Sequence, residues 1–423
     1  MSRHEINHVV ITPVAFTDPP LLNAVGVHEP LALRAIVEVH TASGLIGLGE
    51  TYGDAGHLEL LAKAAEAVKG ASPFDVGRLW TIISGALGQT SRGSQTGLMG
   101  PETSGKTIGS VVAPFDSAFY DVQGQVLGEP VWSVLGGKHR DRVDFSAYLF
   151  YKWAMHPGAV EDRWGQALDP EGIVRQAHTM VSEYGFKSLK LKGGVFPPDQ
   201  EAEAIEALRS AFPSLPLRVD PNGAWSVETS VRIGERLGLS LEYFEDPTMG
   251  IGGMSEVAAR TGIPLATNMC VVETGHIPEA IKLSAVQVIL IDQHYWGGFL
   301  PSLNLSALCR IFDIGVSMHS NSHLGISLAG MVHLGAATEN LTYALDTHWP
   351  WKDESEDVVS TADLQIVDGS IRVPDKPGLG VELDREALSR LHEKYLASSI
   401  RTRNDTGYMK SIAPEYEYVS PRW

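Results

Sequence analysis

Two lysines, Lys190 and Lys192, stand two residues apart in the run Leu189-Lys190-Leu191-Lys192-Gly193-Gly194. On a strand, residues two apart share a face, so both ammonium groups point one way and both leucines the other. Neighbouring cations repel, which is expected to lower the pKa of at least one and make it a general base near neutral pH. A solvated edge strand with two surface lysines is the plain alternative, and the downstream sequence weighs against it. Asp220, Glu245, Asn268, Asp292, His319 and Asp346 follow Lys192 at intervals of 23 to 28 residues, each closing a short apolar run. Asp220, Glu245 and Asn268 would offer two carboxylates and an amide oxygen, a hard set suited to a divalent cation, magnesium above all. His319 beside Asp292 would be an oriented, more basic imidazole facing Lys192 across the same opening.

Positioning such residues takes a repeated frame. Strand-like runs recur at 143–149, 187–192, 217–220, 241–245, 264–268, 286–292, 315–319 and 341–346, with amphipathic stretches such as 200–212, 227–237 and 303–314 between them. Eight strands alternating with helices read as a parallel barrel, in which active sites lie at the carboxyl ends of the strands. The first third has another rhythm. Alternating runs between Glu5 and Thr51 read as a three-stranded antiparallel meander turning at Thr41-Ala42-Ser43-Gly44. Helical periodicity follows near 57–69 and 76–87. The Gly-, Ser- and Thr-rich segment 91–110 reads as a long loop, functional or disordered, before a helix at 113–128.

Composition removes whole classes of function. The chain has 423 residues and 43% hydrophobic content, enough for a large core and more than one domain. A net charge of −18 argues against binding nucleic acid through a basic footprint. No apolar run reaches the length of a membrane span. Two cysteines, Cys270 and Cys309, make no disulfide framework, and Met1–His8 has no apolar signal core, so a cytoplasmic location is expected.

Taken together, Lys190-Leu191-Lys192, Asp220-Pro221-Asn222-Gly223-Ala224-Trp225, Glu245-Asp246-Pro247, Ala266-Thr267-Asn268-Met269-Cys270, the run Met318 to Gly325 and Asp346-Thr347-His348-Trp349 resemble the enolase superfamily. They look specifically like its glucarate dehydratase family, in the mandelate racemase-like branch. The resemblance implies an α/β architecture: an N-terminal α+β capping domain (1–140), a modified (β/α)7β barrel (141–373) and a C-terminal segment (374–423) packed back on the cap. It implies Mg2+ held by Asp220, Glu245 and Asn268, with Lys192 and the His319–Asp292 dyad as the acid/base groups. Lys190 would neutralise an enolate, with Asn222 close to it. Implied substrate contacts are His28, Thr103, Tyr148, Phe150, Ser320, His348 and Arg403. The implied activity is that of a hydro-lyase dehydrating D-glucarate, and L-idarate, to 5-keto-4-deoxy-D-glucarate. The implied partners are a small-molecule aldarate and further copies of the same chain. Open beside this stand a dehydratase or racemase for another acid sugar, a Schiff-base barrel aldolase, and a non-catalytic aldarate-binding paralogue.

Overall fold

The computed structural model describes residues 4–88 and 102–423. Its first part is built on the expected meander. Strand β1 (Ile6–Thr17) leads through a small hairpin, β2 (Leu22–Asn23) and β3 (Gly26–Val27), into β4 (Leu31–Thr41) and β5 (Ile46–Tyr52). The three long strands form an antiparallel sheet in the order β1-β4-β5. Gly44, at φ +85°, makes the turn between β4 and β5, which Thr41 closes by accepting the Gly44 N–H at 3.0 Å.

Helices α1 (Ala55–Ala67), α2 (Leu79–Leu87) and α3 (Ser104–Leu127) cover this sheet, and the short α4 (Val131–Val134) leads out of it. Helix α3 starts nine residues before the expected 113, so the loop expected over 91–110 ends at Thr103, and its part up to residue 101 lies outside the described residues. The reason is local capping and close packing. Thr103 Oγ1 accepts the Lys106 N–H at 3.0 Å, supplying an N-cap. The small residues serve approach rather than disorder: a side chain at Gly109 would strike the Tyr295 backbone, and one at Gly47 or Gly49 would strike α3 itself.

The barrel strands are β6 (Arg142–Phe150), β7 (Leu189–Lys192), β8 (Leu217–Asp220), β9 (Tyr243–Glu245), β10 (Leu265–Thr267), β11 (Val288–Ile291), β12 (Gly315–Met318) and β13 (Leu345–Thr347). Between them run α5 (Pro170–Tyr184), α6 (Pro198–Ala211), α7 (Val227–Leu237), α8 (Ile251–Thr261), α9 (Ile277–Lys282), the pair α10 (Gln293–Trp296) and α11 (Phe299–Ile311), and α12 (Gly325–Ala337). The parallel order is β12-β11-β10-β9-β8-β7-β6-β13, and a bridge from Val316 to Leu341 joins β12 to the approach to β13. No α-helix follows β13 in the barrel, so the architecture is the (β/α)7β form, with β14 (Ser370–Arg372) added antiparallel to the start of β6.

The chain then returns to its beginning. Helix α13 (Arg385–Ala397) packs on β1, with His392 Nδ1 2.7 Å from the Pro13 carbonyl oxygen. Helix α14 (Asp405–Ile412) sits beside β3, where Asn23 donates to Asp405 at 2.9 Å. Among the described residues, no helix is long and apolar enough to cross a membrane.

Candidate active site

The register of the barrel brings the polar strand ends level. Phe150 pairs with Lys192, Lys192 with Asp220, and Tyr148 with Lys190. Leu189 and Leu191 are buried on the opposite side of β7, as the period of two requires. Beyond β8, Asn222 takes a left-handed conformation (φ 58°) and donates its N–H to Asp220 Oδ1 at 2.9 Å. That turn aims the Asn222 side chain back at Lys192, whose Nζ lies 2.5 Å from Asn222 Oδ1 and 2.7 Å from Asp220 Oδ2.

Lys190 sits deeper. Its Nζ is 2.6 Å from Asp346 Oδ2, 2.6 Å from Glu245 Oε2 and 3.5 Å from Asp220 Oδ2. Its charge also lies 4.6 Å from the centre of the Tyr148 ring. Burial disfavours the ammonium form, but Asp346, Glu245, Tyr148 and Asp220 outweigh it and hold the Lys190 pKa well above its ordinary value. For Lys190 the expected lowering by its lysine neighbour is therefore reversed. Acids from three other strands surround it, and spacing along β7 carries no trace of them.

Asp220, Glu245 and Asn268 end consecutive strands and are all buried. Glu245 Oε1 and Asn268 Oδ1 have no hydrogen-bond partner, and Glu245 Oε2, though close to Lys190, is not aligned for a hydrogen bond. Buried acceptors left without donors are costly unless a cation meets them. The donor set fits a hard divalent ion: two carboxylates and an amide oxygen, with no sulfur or imidazole. Among the described residues no group of three or more His, Cys, Asp and Glu is arranged to hold a metal, so an ion here would depend on the amide of Asn268. Asp246 holds the backbone that carries Asn268 in place, accepting the Asn268 backbone N–H at 2.8 Å and the Thr267 hydroxyl at 2.5 Å.

His319 follows β12, and its Nδ1 lies 2.9 Å from Asp292 Oδ2. Burial lowers the His319 pKa, Asp292 works against that, and Lys190 and Lys192 add to the lowering. Asp292 is well below its ordinary value despite burial, because His294 and His319 both bind its carboxylate. His294 is a residue the motifs did not single out: its Nδ1 is 2.7 Å from Asp292 Oδ1.

Of the substrate contacts the resemblance implies, six lie around one aromatic corner. The Phe150 ring packs 4.6 Å from Tyr148 and 5.2 Å from His348, with His28 at 6.0 Å. His348 has a buried, unpartnered Nδ1, and its backbone N–H donates to Ser320 Oγ at 3.2 Å. Burial, and then the fields of His28, His319, His323 and Arg403, hold the His348 pKa well below its ordinary value. The Tyr148 hydroxyl reaches Asp220 Oδ2 at 3.4 Å. His28 is fixed by Asp18 at 3.0 Å. Arg403 reaches this corner with part of its fork engaged, its Nε 2.8 Å and Nη2 2.7 Å from the Asp405 carboxylate. Thr103 is held by other partners: it caps α3 and donates its hydroxyl to Glu273, on the loop that follows Asn268, at 2.6 Å.

Comparison with known proteins places this geometry. The family model described as "Enolase C-terminal domain-like" matches residues 172–387. A probable glucarate dehydratase of Streptomyces coelicolor is 51% identical to this chain, over 99% of each. The chain belongs to the glucarate dehydratase family of the enolase superfamily. Solved structures agree. An enolase from Thermobispora bispora, complexed with magnesium and formate, superposes with a TM-score of 0.97 at 56% identity, covering 99% of this chain and 100% of that one. An enolase from Mycobacterium smegmatis, complexed with tartrate, superposes at 0.95 with 56% identity, covering 100% of both.

As a member of this family the chain is an enzyme, a carbon–oxygen lyase of the glucarate dehydratase-like kind. Two participants in this family member's site escaped the sequence reading of roles. Asp346 stood in the strand-end series without a role, and it is the carboxylate that grips Lys190. His294 follows Asp292 by two, a spacing that a helical first turn converts into a contact with the carboxylate.

Proposed function

We propose that the chain dehydrates a six-carbon aldarate, D-glucarate and its epimer L-idarate, to 5-keto-4-deoxy-D-glucarate with bound magnesium. The observation that carries this reading is the pair of dissimilar proton-transfer groups, Lys192 and His319, at one barrel mouth beside the unpartnered acceptors of Glu245 and Asn268. The magnesium and tartrate of the structural relatives point the same way.

Asp220, Glu245 and Asn268 would hold the ion. When bound, magnesium would supply Lewis-acid polarisation of the substrate carboxylate. Lys190, kept charged by its acids, stands ready to neutralise the negative charge that develops when the alpha proton leaves. Lys192, as a free amine, takes that proton from one face, and neutral His319 takes it from the other in the epimer. The C–O bond to the neighbouring hydroxyl then breaks. His319, protonated by its own abstraction or entering as the imidazolium when Lys192 is the base, gives its Nε2 proton to that hydroxyl, water leaves, and the resulting enol becomes the ketone. Asp292 holds Nδ1 of His319 throughout, leaving Nε2 for transfer.

The test is incubation with D-glucarate, L-idarate and galactarate, with magnesium and then with chelator, read by keto-acid formation. Keto-acid is expected from glucarate and idarate, with loss on chelation. No keto-acid from any aldarate overturns the reading, and turnover unchanged by chelator overturns its metal. A second reading, the same chemistry on another acid sugar, is favoured by Arg403. With Asp405 on its Nε and Nη2, the guanidinium cannot present that edge to a distal carboxylate.

A further inference from the structure

His319 is not the only imidazole on Asp292. Each carboxylate oxygen takes one ring: Oδ2 meets His319 Nδ1 at 2.9 Å, and Oδ1 meets His294 Nδ1 at 2.7 Å. The His294 backbone N–H adds a donor to Oδ1 at 2.8 Å, and Asn321 Nδ2 lies 3.3 Å from Oδ2. From the far side of His294 the contacts continue into the cap. His294 Nε2 lies 2.8 Å from Ser327 Oγ on α12, and Arg34 Nη2 on β4 donates to that oxygen at 3.4 Å. Arg34 is held by Glu50 of β5 at 2.9 Å, and the same carboxylate accepts the N–H groups of Leu324 and Ser327 at 2.9 and 2.8 Å. Apart from Asn321, which is half-buried, all these side chains are buried.

The chemistry of the two ends fixes the direction of the chain. A guanidinium only donates, so Arg34 takes a lone pair of Ser327 Oγ. An ionised carboxylate only accepts, so both rings bring Nδ1–H to Asp292. Between these ends the Ser327 hydroxyl hydrogen has His294 Nε2 as its acceptor. The three bonds from Arg34 through Ser327 and His294 to Asp292 then run the same way, from the cap towards the dyad, and His319 donates to Asp292 from the other side.

We propose that His294 is a positioning residue for the His319–Asp292 dyad, and that Arg34 of the cap, acting through Ser327, fixes its proton on Nδ1. Its donor occupies Asp292 Oδ1 and leaves Oδ2 to His319, so the carboxylate cannot rotate to offer either oxygen indifferently. Hydrogen-bond networks of this kind act as units, and a ring's tautomer follows from the partner of its other nitrogen. The catalytic part of this inference rests on the function proposed above. The tautomer does not.

Two measurements separate those parts. The first is nitrogen NMR of the protein labelled with 15N-histidine, the His294 signals being those missing from His294→Asn. A pyrrole-type Nδ1 and a pyridine-type Nε2 are expected, with the pattern altered in Ser327→Ala. A proton on Nε2 in the unaltered protein, or no change in Ser327→Ala, overturns the proposal whatever the substrate proves to be. The second is exchange of the alpha hydrogen with deuterated buffer, His319→Gln and Lys192→Arg assigning which epimer each base serves. His294→Leu should lose about 10- to 100-fold on the His319-dependent epimer, the range for removing a hydrogen-bond partner behind a working group, while exchange at the lysine face stays within about threefold. His294→Asn, whose amide N–H can take the place of Nδ1–H, should recover most of the loss. Equal losses at both faces, or no recovery with Asn, would make His294 a packing residue only.

Discussion

Lys190 and Lys192 find all their partners inside the barrel, whereas His319 is held by groups that run out of the barrel and into the cap. On the lysine side, Asp220, Glu245 and Asp346 come from strands of the same sheet. Their positions are set by strand register, so the side is as rigid as the sheet. On the histidine side, Asp292 leads through His294 and Ser327 to Arg34 and Glu50, which belong to another sheet. The Arg34–Glu50 pair is fully buried, and removing one partner of such a pair costs about 3–5 kcal/mol. One base is thus built by the barrel alone, and the other needs cap and barrel docked together.

The change expected to act hardest removes what both sides share. Glu245→Gln takes a carboxylate from the candidate ion site and from Lys190 together. Turnover should fall by at least about 1000-fold on either epimer, since oriented charge at the reacting carboxylate serves both faces. Keto-acid formation measured across a magnesium titration, with circular dichroism as the control for folding, checks it. Loss confined to one epimer would mean that the two sides do not share this residue.

His319→Gln splits the sides. Glutamine keeps hydrogen bonding but transfers no proton, so dehydration of both epimers should drop by about 100- to 10,000-fold. Exchange of the alpha hydrogen through Lys192 should survive for its own epimer, visible by proton NMR in deuterated buffer. Dehydration at a near-normal rate would remove His319 as the acid.

How much of this could be read in advance follows the same division. The lysine side was legible because each polar residue closes an apolar run one barrel unit after the last. The histidine side was legible only as far as Asp292. Ser327 and Arg34 meet across 293 residues of sequence, and nothing in either segment marks them as neighbours. The early start of α3 was hidden for another reason. Gly, Ser and Thr read as loop, yet in a buried helix they permit backbones to approach closely, as Gly109 does against Tyr295. The pKa direction of Lys190 was hidden too, since like charges adjacent on β7 say nothing of acids arriving from β8, β9 and β13.

A smaller effect is expected where the cap-side corner meets the substrate. Arg403→Ala removes the guanidinium but leaves Asp405 buried with Asn23. If the free part of the Arg403 fork grips a distal carboxylate, KM for glucarate should rise about tenfold, the scale of one charge-assisted hydrogen bond, with kcat little changed. A six-carbon monocarboxylate should be insensitive. Equal changes for both substrates would take Arg403 out of the site and favour a different acid sugar.

The least of these effects concerns stability and belongs to the histidine side alone. His323, buried beside the Glu50 and His294 network, has its pKa pushed down to about 4, first by burial, with Glu50 and the Leu324 carbonyl opposing it and His294 and Arg34 adding to it. In the unfolded chain the same ring titrates near its ordinary 6.5. Between those two values the unfolded state binds a proton at this residue that the folded state refuses. Stability therefore falls as the pH drops from about 6.5 towards about 4, by up to about 1.4 kcal/mol per pH unit from this group. Buried carboxyl groups with raised pKa, such as Glu201 at about 7, act in the opposite sense, so the total slope does not isolate His323. The comparison of unaltered protein with His323→Gln does, because the carboxyl contributions cancel between the two. Urea unfolding at pH 7 and at pH 5.5 should show the histidine protein losing about 1 kcal/mol more than the glutamine variant over that interval. An identical pH slope in the two proteins would mean that His323 takes up its proton in the folded chain, and that the histidine side is more open to water than its burial implies.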